Sequence, residues 1–119
     1  MEGSVRDLKL LELRTGKCPF EAWYRSVRDV RARQRIFSTI TRLADPRYRA
    51  FKSVGEGVYE LRIFHGPGYR VYFGMKGDRL VVLIGGGDKS DQGGDIHEAK
   101  KLWKAFKDES ERYQRKLVG

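Results

Sequence analysis

The sequence predicts an α+β domain: a small antiparallel β-sheet, a meander of three strands plus an N-terminal strand, with an N-terminal helical hairpin and a C-terminal helix. Three observations predict it. Apolar residues recur at helical spacing from Phe20 to Ala44, alternate one-in, one-out between Val58 and Phe73, and return to helical spacing beyond Asp95. A chain of 119 residues, 39% hydrophobic and 34% charged, supports one modest core. A single domain over 1–119 is therefore expected, with 109–119 a helical extension or a frayed tail.

Residues 5–13 (VRDLKLLEL) read as the N-terminal strand. Pro19 suits the first turn of a helix, and Phe20, Trp23, Tyr24 and Val27 give that helix its apolar face. Asp29 can cap a second helix, in which Val30, Ile36, Phe37, Ile40, Leu43 and Ala44 keep helical spacing, interrupted at Arg33, up to Asp45-Pro46. In VYELRIF, Tyr59, Leu61 and Ile63 share one face, and Val58, Glu60, Arg62 and Phe64 the other. After the turn HGPG (65–68), YRVYF sets Tyr69, Val71 and Phe73 against Arg70 and Tyr72. A second turn, MKGD (75–78), leads to Leu80–Ile84, apolar on both faces as a central strand is. The last helix is expected from Asp95, a good cap with Glu98 three positions on. Its stripe, Ile96, Ala99, Trp103, Phe106, Ser110, Tyr113 and Leu117, packs first on the sheet and ends with two residues able to dock a partner.

Charge narrows the function. The net charge is +9, and nine cations between Arg25 and Lys52, eight of them arginine, face only Asp29 and Asp45. Arginine is suited to bidentate phosphate and carboxylate contacts. The stretch is a solvated helix face or a surface for a polyanion, either nucleic acid or a very acidic protein, and the anionic partner is the expectation. No apolar run approaches the roughly 20 residues of a membrane helix, and MEGSVRDLKL lacks the order of a signal peptide. With one cysteine, Cys18, and two histidines, His65 and His97, the chain is poor in soft metal ligands. A cytoplasmic protein with no metal, no cofactor and no membrane contact is expected.

The sheet sharpens this. Antiparallel pairing sets Arg62 and Arg70 on the same face of neighbouring strands, with Tyr72 beyond. Like charges there cost stability unless an anion or a carboxylate such as Glu60 sits between them. The run GGGDKSDQ (85–92) has the look of a phosphate loop, but the Walker spacing is absent, Asp88 precedes the lysine, and Gly93-Gly94 are expected to delay the helix. No dinucleotide fingerprint is present either. Its glycines read as flexible chain that lets Lys89 turn toward the arginines, to move a proton or only to hold charge.

From Val54 to Ala99 the order of motifs resembles the RelE/ParE toxin superfamily, and most of all its HigB-like "addiction module killer" branch. The resembling segments are Val54–Ile63 (VGEGVYELRI), Gly66–Tyr72 (GPGYRVY), Gly86–Ser90 with Gln92 (GGDKSxQ), and Asp95-Ile96 with Ala99. Phe20, Trp23 and the arginine-rich helix to Leu43 also match, so the resemblance covers about residues 5–106. It implies a RelE-like fold and a toxin held inactive by a cognate antitoxin, expected to be a helix-turn-helix protein. Many relatives are metal-independent endoribonucleases that cut mRNA on the ribosome. The ParE-like branch inhibits DNA gyrase instead, and a non-toxic basic module that binds nucleic acid or a partner is a third reading. Operator DNA is reached only through the antitoxin complex.

The chemistry can be laid on these residues. Metal-free RNA cleavage needs a deprotonated 2′-oxygen, a neutralised phosphorane and a protonated 5′-oxygen. Arg70 and Arg62 fit phosphate clamps, since arginine keeps its proton at neutral pH. Lys89 and Lys52, crowded by arginines, are the candidates for proton transfer. Tyr72 is expected to stack a base or bond phosphate, and Arg49, Arg47 and Arg33 to hold RNA. The chain departs from well-known relatives at Glu60, where they are basic, and at Asp95, near where some place a tyrosine. Asp88, Asp95 or Glu60 is left as a base.

Overall fold

Proline at a first helical turn loses no hydrogen bond, and Pro19 opens α1 (Pro19–Ser26) in that way. Asp29 caps α2 (Val30–Thr41), accepting from the backbone N–H of Arg31 at 3.0 Å and of Ala32 at 3.3 Å. A computed structural model of the protein describes residues 5–118, with side chains described for residues 5–109. The buried stripe of α2 is Ala32, Ile36 and Ile40, continued by Leu43 in a 3-10 turn over Arg42–Ala44. Val30 and Phe37, assigned to that stripe from spacing, are 56% and 61% exposed. Ala32 takes their place because i, i+4 steps through Ile36 and Ile40 keep one face toward the sheet.

The sheet has five strands, β1 (Asp7–Leu10), β2 (Lys52–Gly55), β3 (Val58–Ile63), β4 (Tyr69–Lys76) and β5 (Leu80–Gly87), in the order β1-β5-β4-β3-β2. It is mixed rather than antiparallel. β1 lies parallel to β5, with Asp7 opposite Leu80 and Leu10 opposite Leu83, while the other pairs are antiparallel. β2 is an unexpected strand, since Lys-Ser-Val-Gly is short and half polar. Its hairpin to β3 turns at Glu56 and Gly57, both in the left-handed region (φ 57° and 83°), which suits a two-residue loop.

Each face is covered by one helical unit. Ile36, Ile40, Leu43 and Phe20 of the hairpin pack on Leu61, Ile63, Val71, Phe73, Val81 and Leu83. On the other face Ala99 and Trp103 pack on Val58, Tyr72, Val82 and Ile84. These two come from α3 (Gln92–Val118), which begins three residues before the expected Asp95. Asp88 is the cap: its carboxylate accepts from the Ser90 N–H at 2.8 Å and starts a 3-10 turn, Lys89–Asp91, that runs straight into α3. Gly93 and Gly94 are thus helical and delay nothing. The side chains of Tyr113 and Leu117 lie outside the described residues.

Gly85–Gly87 are the end of β5, not flexible chain. A β-carbon on Gly86 would run into the Trp23 ring of α1, and one on Gly87 into the Asp95 carboxylate of α3. Close approach of two helices to one strand requires glycine there. Arg6, just before β1, has a wholly covered side chain. Its guanidinium donates to the carbonyls of Leu43, Asp45, Pro46 and Tyr48 at 3.1–3.4 Å and pairs with Asp78 at 3.0 Å. It holds the 43–48 segment against the sheet.

Candidate nucleic-acid interface

Strand register assembles the site. Arg62 of β3 stands directly opposite Arg70 of β4, and Glu60 opposite both Tyr72 of β4 and Lys52 of β2. The Glu60 side chain is fully covered. Its Oε2 accepts from Gln92 Nε2 at 2.7 Å and from the Tyr72 hydroxyl at 3.2 Å, and lies 3.6 Å from Arg70 Nε. Its Oε1 faces Lys52 Nζ at 3.8 Å and Arg62 Nε at 3.9 Å, without a hydrogen bond among the described residues. One carboxylate therefore serves three cations. It offsets the repulsion of two arginines on adjacent strands, yet leaves the cluster positive. Arg62 and Lys52 remain open to solvent (49% and 61%), whereas Arg70 is 9% exposed and donates to the Gly68 carbonyl at 3.3 Å.

Two grooves flank this cluster. The larger, about 480 Å³, lies between α2 and the 48–52 segment, with Arg35, Arg42, Arg49, Lys52 and Arg62 in its walls. The smaller, about 210 Å³, holds Arg62, Arg70 and Lys89 beside the turn at 66–68. Arg62, Ile63 and Phe64 line both. Glu60 in the larger groove is the carboxylate among the described lining residues.

The structure thus brings Arg62, Arg70 and Lys89 together in one groove, and Lys52, Arg62 and Arg49 in the other. Tyr72 has a different place from the one expected. It is 1% exposed, so α3 leaves no ring face for a base, and its hydroxyl is spent on Glu60. Burial first, then the Glu60 charge, push that hydroxyl far above the usual tyrosine range, which keeps it a donor. Arg33 donates to the Val27 carbonyl at 2.6 Å and braces the hairpin, lining neither groove. Arg47 is 90% exposed but clasps Asp45 through Nε (3.1 Å) and Nη2 (2.9 Å), also outside both grooves. Arg35 of α2 and Arg42 of the following 3-10 turn, not among the expected RNA-holding residues, line the larger groove instead. Phe64, 79% exposed, was legible as a phenylalanine on a polar strand face.

Of the other carboxylates, Asp88 accepts from the Ser90 hydroxyl and N–H, which hold it below its usual range. Asp95 is raised, chiefly by burial and then by Asp91 and Asp88, and it lies under Gly87, the β5 residue that stands opposite Arg70. Glu60 is the carboxylate that touches the cationic cluster, and its burial makes it a positioning group.

The Arg47 clasp has a measurable signature. Hydrogen bonds from the Arg47 side chain and backbone bring Asp45 from its ordinary 3.8 down to about 2. A depressed folded value means a contribution present above the unfolded value and lost as pH falls through the folded one. Stability is expected to drop between about pH 4 and pH 2, and Asp45→Asn to flatten that part of the profile. Carboxyl titration by NMR checks it; an ordinary Asp45 midpoint would remove the clasp from solution.

No family model matches the chain, and no solved structure does. An uncharacterized protein of Haemophilus influenzae is 43% identical to it over 83 residues, 70% of this chain and 84% of that protein. The chain belongs to that protein's family. No helix among the described residues is long and apolar enough to cross a membrane.

Proposed function

We propose that the protein is the toxin of a type II toxin–antitoxin pair: a cytoplasmic, metal-independent endoribonuclease that cuts mRNA on the ribosome and is silenced by a cognate antitoxin. One observation carries the reading. Arg62 and Arg70 face each other across β3 and β4 over a shared buried carboxylate, with Lys89 in the same groove and Lys52 beside the next. The motif resemblance supports it, as does the order of hairpin, meander and final helix, which suits a RelE-like fold.

Cleavage of this kind forms a bond from the 2′-oxygen to phosphorus and breaks the bond to the 5′-oxygen. The 2′-proton passes to water, and the 5′-oxygen gains one from a lysine ammonium. Arg62, its Nε held toward Glu60, offers fixed positive charge to the phosphorane, and Arg70 adds charge from the floor of the groove. Lys89, exposed at the groove wall, is placed to give the proton to the leaving oxygen, with Lys52 as the alternative on the other side. The antitoxin would carry acidic or amphipathic segments across these grooves, with helix-turn-helix DNA binding of its own.

The test is induction in a bacterial host with mapping of mRNA 5′ ends, paired with cleavage rates on programmed ribosomes. Arg62→Gln and Lys89→Ala, both at exposed positions, are each expected to lower the rate by about 10²-fold or more while the protein stays folded. Folded variants that cleave as fast as wild type would refute the assignment. Growth arrest with no new 5′ ends, unmoved by either substitution, points instead to a non-nuclease toxin acting on a target such as DNA gyrase.

A further inference from the structure

We infer that Phe64 is a base-stacking residue: a single strand of RNA crosses it, with phosphates in the two cationic grooves on either side and a base laid on the exposed ring. The inference rests on the nucleic-acid reading above and adds to it a contact that reads bases rather than charge. Phe64 is the most exposed of the large apolar side chains in the described residues, at 79%. It follows the last residue of β3, on the alternation that also carries Glu60 and Arg62, and so continues the polar face where a phenylalanine has no core to fill. It lines both grooves, and Arg62 lines both with it. A planar ring between two sets of cations matches a chain whose charges and π-faces alternate along its length, the pattern by which single strands are held without sequence preference. An acidic or amphipathic peptide would answer the arginines and cover the ring by apolar contact, which a leucine at position 64 would serve equally well, whereas a base requires the π-face. A duplex keeps its bases stacked away from it. The buried Tyr72 cannot supply this contact, and the turn at 65–68 places Phe64 where it can.

The probe is a fluorescein-labelled ten-nucleotide oligouridylate RNA, with a second version carrying 2-aminopurine at one internal position. Phe64→Ala is expected to weaken binding by about 5- to 100-fold and to abolish the quenching of 2-aminopurine that stacking produces. Phe64→Trp should keep both, while Phe64→Leu should behave like alanine, since it has no π-face. The slope of log affinity against log salt should stay as in wild type for all three, whereas Arg62→Gln lowers it by about 0.7, the share of one phosphate on a single strand. Because the side chain is exposed, these variants should melt like wild type. Binding of Phe64→Ala within twofold of wild type, or full binding by Phe64→Leu, overturns the stacking role. If the first occurs while Arg62→Gln still weakens binding, stacking alone falls. If Arg62→Gln has no effect either, the nucleic-acid reading falls with it.

Discussion

Replacing Glu60 with alanine is expected to cost about 3 kcal/mol of stability and, at the same time, to tighten binding of RNA. The carboxylate is fully covered and is the shared partner of Lys52, Arg62 and Arg70. Removing one member of a buried ionic group leaves the others uncompensated, an effect of roughly 3–5 kcal/mol. The low end applies because Lys52 and Arg62 can turn to water, whereas Arg70 cannot. The Gln92 amide and Tyr72 hydroxyl also lose their acceptor. Glu60→Gln separates the two contributions, since an amide oxygen still accepts while the charge is gone. Urea denaturation in chloride and in sulfate reads the result: sulfate should restore part of the loss by standing in for the carboxylate. An alanine variant as stable as wild type, with unchanged oligonucleotide affinity, would show that Glu60 does not organise the cluster.

The second large effect lies in the core. Trp103 is 1% exposed, stacks on Phe106 at 5.5 Å, and presses on β4 where Gly74 has no side chain. Trp103→Ala is expected to lose about 3–5 kcal/mol, as large aromatic truncations in cores do. Gly74→Ala should lose about 1–3 kcal/mol for the opposite reason, because its new methyl would occupy the space of the indole. The double variant discriminates. With the indole gone, the added methyl has room, so Gly74→Ala should be close to neutral on the Trp103→Ala background. Four urea curves close the cycle, and additivity of the two losses would mean that the ring is not what excludes a side chain at position 74.

How much of this could be read from residues alone follows from the range over which each signal acts. Asp29 and its helix were legible because a cap and a 3.6-residue stripe are local. The Arg62–Arg70 pairing was legible too, since the short HGPG turn and the two-residue strand period leave little freedom of register. The parallel docking of β1 was not, because a four-residue strand carries no mark of its partner or its direction. The glycines at 85–87 read as loop by composition; they are strand because Trp23 and Asp95, far away in sequence, press on that backbone. Tyr72 shows the same limit. Alternation puts it on the polar face, but α3, from another part of the chain, decides that the face is dry at that point. Phe64 sits on the same alternation, beyond that cover, and stays wet.

During synthesis Arg6 emerges long before anything it binds. Its carbonyl partners lie 37 to 42 residues downstream and its carboxylate partner 72. Contacts so distant along the chain reward the polypeptide only after the entropy of closing long loops has been spent, and they slow folding accordingly. The strand next to Arg6 likewise waits for Leu80–Leu83. A nascent chain can therefore form its arginine-bearing hairpin early, but it cannot finish its sheet until Leu80–Gly87 have been made. Chain order thus places the arginine-bearing helix ahead of the strands that wall its grooves.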